Sequence, residues 1–154
     1  MIVFYISGHG FGHASRDVEV LNAVLRRRPS VPVTIRSAVP VWFLEASLEQ
    51  RVALASLETD PGLAQFDSLR IDETETVLRA RRFYDGFDER VAAEAAWLRT
   101  IGARLVVADV PPLACAAAAR AGVPSIVLGN FTWDWIYRGF DDFERVAPAV
   151  LSTI

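Results

Sequence analysis

Hydrophobic positions along the chain fall into two kinds of run. The first kind is short, continuous and rich in β-branched residues. It comprises IVFYIS from Ile2, VPVTIRS (31–37), RVALASL (51–57), RLVVAD (104–109) and PSIVLGN (124–130). Uninterrupted apolar runs of this length fit strands buried on both faces of a parallel sheet. The second kind is longer and amphipathic. From about Ser15 to Arg28, Val18, Leu21, Val24 and Leu25 recur at helical spacing. Asp17 and Glu19 stand in the first turns and Arg26 to Arg28 at the end, each sign where the helix dipole favours it. PVWFLEASL (40–48) predicts a short helix, and residues 74–100 predict a long one, weakened or bent near Gly86. PLACAAAARAG (112–122) predicts an alanine-rich helix stopped by Gly122. Asp60 to Asp72 contains Pro-Gly and reads as a loop, with a short strand near Leu69.

Strands alternating with helices predict an α/β fold: a Rossmann-like doubly wound parallel sheet, with residues 1–154 as a single domain. Ligands of such sheets bind beyond the carboxyl ends of the strands. Three unusual stretches fall at such ends: the glycine-rich GHGFGHASR after the first strand, DVPP after the fourth, and NFTWDWIY after the fifth. Their coincidence locates a candidate site.

Composition narrows the function. The chain is 52% apolar with a mean hydropathy of +0.25, enough for a full core. A net charge of −3 and a pI near 5.4 argue against general binding to nucleic acid or anionic membrane. All 16 basic residues are arginine, so a Walker-type phosphate loop, which needs lysine, is excluded. The apolar run Ile2 to Ile6 has no basic region before it, unlike a signal peptide. No apolar stretch approaches the ~20 residues of a membrane span. The lone Cys115 cannot form an internal disulfide and reads as packing in the alanine-rich helix, so a reducing cytoplasm is the expected location. The closing FERVAPAVLSTI is apolar and uncapped, and reads as a chain cut short. A domain severed from a partner domain would expose an apolar face prone to self-association.

Gly8, Gly10 and Gly12 give G-x-G-x-G-H, with His13 where a dinucleotide fingerprint carries its third glycine. Arg36, Ser37 and Ala38 follow the second strand in place of a ribose-binding carboxylate, which argues against NAD. The loop, including Phe11, still offers backbone amides and a positive helix end to an anion. A bare turn would not need two imidazoles. His9 and His13 lie four apart, but glycines separate them and no HExxH carboxylate is present, so no metal is expected. His13, nearest the helix start, is the candidate general base, since the dipole favours its neutral, proton-accepting form. His9 either orients substrate or packs the loop. Arg16 either pairs with Asp17 or Glu19, or holds an anionic acceptor. Asp109 either accepts hydrogen bonds from sugar hydroxyls or caps the next helix. If residues 131–137 are helical, Phe131, Trp133, Trp135 and Tyr137 form i, i+4 pairs, half of them core. With Asn130 and Asp134 the cluster also has the make-up of a carbohydrate platform.

Taken together, GHGFGHASR, VVADVPPLA, AGVPSIV and NFTWDWIY resemble a group of GT-B-type glycosyltransferase-like proteins. The group includes bacterial members and the N-terminal region of plant L-arabinokinase. The match runs in order over nearly the whole chain, through FDSLRIDETET and EAAWLR. The glycine loop is also similar to the G-G-x-G-G-H loop of the peptidoglycan N-acetylglucosaminyltransferase, with His13 matching its histidine. The resemblance implies the N-terminal, acceptor-side half of a two-domain fold whose C-terminal donor domain is absent here. It implies a nucleotide-sugar co-substrate and no other cofactor, a sugar-containing acceptor, and His13 as base or acceptor contact. It also implies that these residues alone do not catalyse transfer. The rival expectation is a non-catalytic sugar- or nucleotide-binding module of a fused or partner enzyme. A nucleotide-sugar epimerase of the same fold would need more carboxylates in the cleft than Asp109 and Asp134.

Overall fold

A computed structural model describes residues 1–154. Five parallel strands form the main sheet: β1 (Ile2–Ile6), β2 (Val33–Ser37), β3 (Ala53–Ser56), β6 (Leu105–Ala108) and β7 (Ser125–Val127). Their spatial order is β3-β2-β1-β6-β7, so the chain winds outward one way from β1 and then crosses back to build the other half. β1 is central, in register with β2 from Ile2↔Val33 and with β6 from Ile2↔Leu105. That reversal of direction makes the carboxyl ends of β1 and β6 the topological switch point, where such sheets open a crevice.

Alternation along β1 sorts side chains to two covered faces. Phe4 and Ile6 pack with Ala14, Val18 and Leu21 of α1 (Gly10–Arg27) and with Leu44 of α2 (Val41–Ser47). Val3 and Tyr5 pack with Leu98 of α4 (Phe87–Thr100) and with Ala114, Ala117 and Ala118 of α5 (Pro112–Ala121). Alanine repeats let α5 approach the sheet closely. On that face the Tyr5 hydroxyl donates to Glu94 Oε2 at 2.9 Å, as does Arg36 Nε at 3.1 Å. Arg36 also lies 4.2 Å over the Trp97 ring, so it ties the sheet to α4.

A separate cluster roofs the carboxyl end of the sheet. It joins α3 (Glu73–Tyr84) and the start of α4 to three short helices, α6 (Trp133–Tyr137), α7 (Asp141–Val146) and α8 (Pro148–Thr153). The predicted helix 74–100 is two helices. Asp72 caps α3 by accepting from the Glu75 N–H at 2.9 Å, and Gly86, at φ 78, supplies the left-handed residue from which α4 restarts. Within 60–72 the strand near Leu69 becomes a small hairpin of β4 (Gln65–Asp67) and β5 (Arg70–Ile71).

The largest departure from the expected elements is at α1. The helix starts at Gly10, five residues before Ser15, with Gly10 entering at φ 65. Gly10, Phe11 and Gly12 therefore belong to the first turn, and Arg16 to the second.

Candidate functional site

Four loops meet at the carboxyl edge of the sheet: after β1 (Ser7–His9), after β3 (57–64), after β6 (109–111) and after β7 (128–132). The first carries His9, which stands at the N-cap of α1 with extended backbone, and His13 follows inside the helix. The third carries Asp109. Its backbone N–H continues the sheet by donating to Tyr5 O at 2.8 Å, and its side chain is wholly buried. The next residue, Val110, takes φ 61, a left-handed conformation rare for a β-branched residue. That turn, held between Asp109 and the pair Pro111–Pro112, directs the carboxylate back toward α1.

There it meets His13. The Nδ1 of His13 and Asp109 Oδ2 are 2.7 Å apart across 96 positions of sequence. An ionised carboxylate only accepts, so Nδ1 carries the proton and Nε2 is left with a free lone pair. The hydrogen bond to Asp109 raises the His13 pKa from 6.5, against burial and the nearby charge of Arg16, which lower it. The expected helix-dipole effect on His13 is thus overridden by a direct charge-assisted bond.

Arg16 holds the far side of the same carboxylate. Its Nη2 donates to Asp109 Oδ1 and to Leu128 O at 3.3 Å, and its Nη1 donates to Asn130 Oδ1 at 3.2 Å. Arg16 and Asn130 consequently brace β6 and β7 against α1. Asp17 follows Arg16 and is also wholly buried, with Oδ1 3.5 Å from Arg16 Nε and no hydrogen bond to either oxygen. Burial pushes its carboxyl up to about 7.

The loop after β3 adds a second carboxylate. Asp60 is buried, accepts the Ser7 hydroxyl at 3.1 Å and the Thr59 hydroxyl at 3.3 Å, and lies 3.8 Å from His9 Nε2. Burial raises it to about 6 and lowers the pKa of His9. Both histidines pack against Trp133, whose ring centroid lies 6.3 Å from that of His9 and 6.4 Å from that of His13.

Several candidates therefore occupy positions different from those expected. Asp109 is neither a helix cap nor open to a sugar hydroxyl, because it is enclosed by His13 and Arg16. Trp133 is 2% exposed, and Phe131 and Tyr137 cover it further, so it offers no free ring face; Trp135, 71% exposed, does. Asp134 sits apart, 3.9 Å from Arg138. Phe11 turns away from the imidazoles and stacks on Phe43 at 4.7 Å, with Trp42 edge-on at 5.8 Å. Gly8 packs closely, since a Cβ there would lie 3.0 Å from that of Ala38, whereas Gly10 and Gly12 face open space.

Asp17 and Asp60 escaped the sequence reading. Asp17 had a signal: with Ala14, Val18 and Leu21 inward, position 17 shares their face. Asp60 had none, because its partners Ser7 and His9 lie in another loop.

With this geometry in view, comparison with known proteins becomes informative. No protein-family model matches the chain. The L-arabinokinase of Arabidopsis thaliana is 36% identical over 149 residues, covering 91% of this chain and 14% of that protein. A UGT transferase from Siraitia grosvenorii, solved in complex with UDP, superposes with a TM-score of 0.52 at 21% identity over 82% of this chain. The Phytolacca americana UGT2, complexed with UDP-2fluoro-glucose and pterostilbene, gives 0.54 at 20% identity over 83%. The fold is of the GT-B glycosyltransferase type. This chain spans 27% and 30% of those two structures, about a third of their length at most. No helix is long and apolar enough to cross a membrane.

Proposed function

We propose that this chain is the acceptor-binding domain of a GT-B-type glycosyltransferase that uses a nucleotide-sugar donor. The His13–Asp109 pair at the switch point carries the reading. His13 Nε2 takes the proton of an acceptor hydroxyl as its oxygen attacks the anomeric carbon, and the nucleotide diphosphate leaves with the bonding pair. Asp109 fixes the tautomer and steadies the imidazolium, while Arg16 keeps Asp109 in place. No cofactor beyond the co-substrate is needed. The donor-binding half belongs to a second domain, in keeping with the fraction of each UGT structure spanned.

The test is UDP release from UDP-glucose and UDP-galactose with sugar acceptors, using the complete protein that carries this chain. His13→Ala should lower turnover by about 10²–10⁴-fold, the usual worth of a positioned base. Turnover retained within a few-fold sinks the assignment. A second reading, a sugar-binding module fused to a sugar kinase, is favoured by the 36% identity to L-arabinokinase. It predicts ATP-dependent sugar phosphorylation without UDP release.

A further inference from the structure

The proposed transfer needs one imidazole, yet the site holds two, and the second is the more elaborately seated. Gly62 lies directly beneath His9: a Cβ at position 62 would fall 1.8 Å from Cδ2, 1.9 Å from Cγ and 2.1 Å from Nε2 of that ring. Gly62 also has φ +55, so a side chain there would both displace the ring and strain the backbone. Its carbonyl accepts from the Tyr137 hydroxyl at 3.0 Å, which pins the loop after β3 to α6. Asp60, two residues earlier, faces the ring at 3.8 Å, and Trp133 meets it edge to face. The His9 backbone N–H donates to Ser7 Oγ at 3.4 Å, and Ser7 in turn donates to Asp60.

His9 is thus fixed from below and from the side, while its side chain stays 31% exposed. A side chain held this firmly and left open has already lost the conformational freedom that ligand binding would otherwise remove. Burial lowers its pKa, so at neutral pH the ring presents one donor and one acceptor. Nothing in the His13–Asp109 pair depends on it.

We propose that His9, seated on Gly62, hydrogen-bonds a second acceptor hydroxyl beside the one facing His13, and so selects polyols over ligands with a single hydroxyl. The proposal rests on the acceptor-site reading and names its substrate class as a free or terminal sugar. Gly62 and Asp60 act as positioning residues through the ring.

The imidazole signals of His9 and His13 can be followed by NMR in this chain, with D-galactose and D-glucose as polyol probes and phenol as the single-hydroxyl probe. The sugars should shift both histidines, and phenol His13 alone. His9→Ala should weaken galactose binding about tenfold, the loss of roughly one hydrogen bond, and leave phenol binding unchanged. Gly62→Ala, which displaces the ring without deleting it, should do the same, and His9→Gln should restore part of the affinity. Sugar shifts at His13 only, unchanged galactose affinity in His9→Ala, or equal losses for sugar and phenol would each overturn the proposal. If no probe moves His13, the acceptor-site reading itself falls, and this inference with it.

Discussion

Replacing Asp17 by asparagine isolates the cost of a buried charge beside the site. Asp17 is enclosed, receives no hydrogen bond, and has Arg16 Nε 3.5 Å away as its nearest ion-pair partner. Burial and repulsion from Asp109 raise its carboxyl from 3.8 to about 7, against the pull of Arg16. The unfolded chain releases this proton near 3.8, whereas the native state keeps it until about 7. Through that window the folded state binds more protons, so stability falls as pH rises and levels off above it. Taken whole, the shift to about 7 corresponds to a penalty on the order of 4 kcal/mol. Asparagine keeps the shape and removes the charge, but its amide also lacks partners, which returns about 1–3 kcal/mol of cost. Arg16 keeps its hydrogen bonds to Asp109, Asn130 and Leu128 O and loses only the 3.5 Å ion pair at Nε, whose pull the shift to about 7 already includes. The net expectation is a gain of about 1–3 kcal/mol at pH 8 and a loss of about 1–3 kcal/mol at pH 4, where the carboxyl is already neutral and only the amide cost remains. Urea unfolding of both proteins at pH 4, 6 and 8 measures it. Asp60 titrates in the same direction, so the difference between variants is the relevant quantity. A variant less stable than wild type at pH 8, or a difference that stays constant with pH, refutes the reasoning.

Trp133→Ala removes the ring packed against both imidazoles and should destabilise by about 3–5 kcal/mol in denaturant unfolding, toward the lower end because the indole N–H already lacks a partner. Arg16→Ala removes a positive charge that lowers the His13 pKa, so an NMR titration should find that pKa higher still; a lower value would contradict the assigned geometry.

The sheet was legible because its parallel strands leave unbroken apolar runs, most plainly in the buried central β1; the edge strand β7 keeps such a run although its residues are exposed, so the expected burial on both faces fails there. The weak point at Gly86 was legible too, although as a bend in one helix and not as the break between α3 and α4. The start of α1 was not. Gly10 and Gly12 read as part of a loop ahead of the helix, yet Gly10 uses its left-handed freedom to enter the helix early. Asp17 already lay in the predicted helix on the face of Val18 and Leu21, and was passed over because an acidic residue near a helix start reads as a partner of the dipole. His13 and Asp109 were each recognisable, but their bond spans 96 positions and no local pattern encodes it. Trp133 and Trp135 differ by two residues, and only the phase of α6 decides which is enclosed.

Val110 gives the site its character in time. A left-handed branched residue costs about 1–2 kcal/mol, and here the prolines behind it and Gly129, close against its methyl groups, leave the segment little room to relax. The loop after β6 therefore lacks an easily reached alternative shape. Its carboxylate meets the imidazole when the chain folds, before any ligand arrives. An incoming molecule finds a completed pair, and its arrival can be fast because no slow rearrangement of that loop has to precede it.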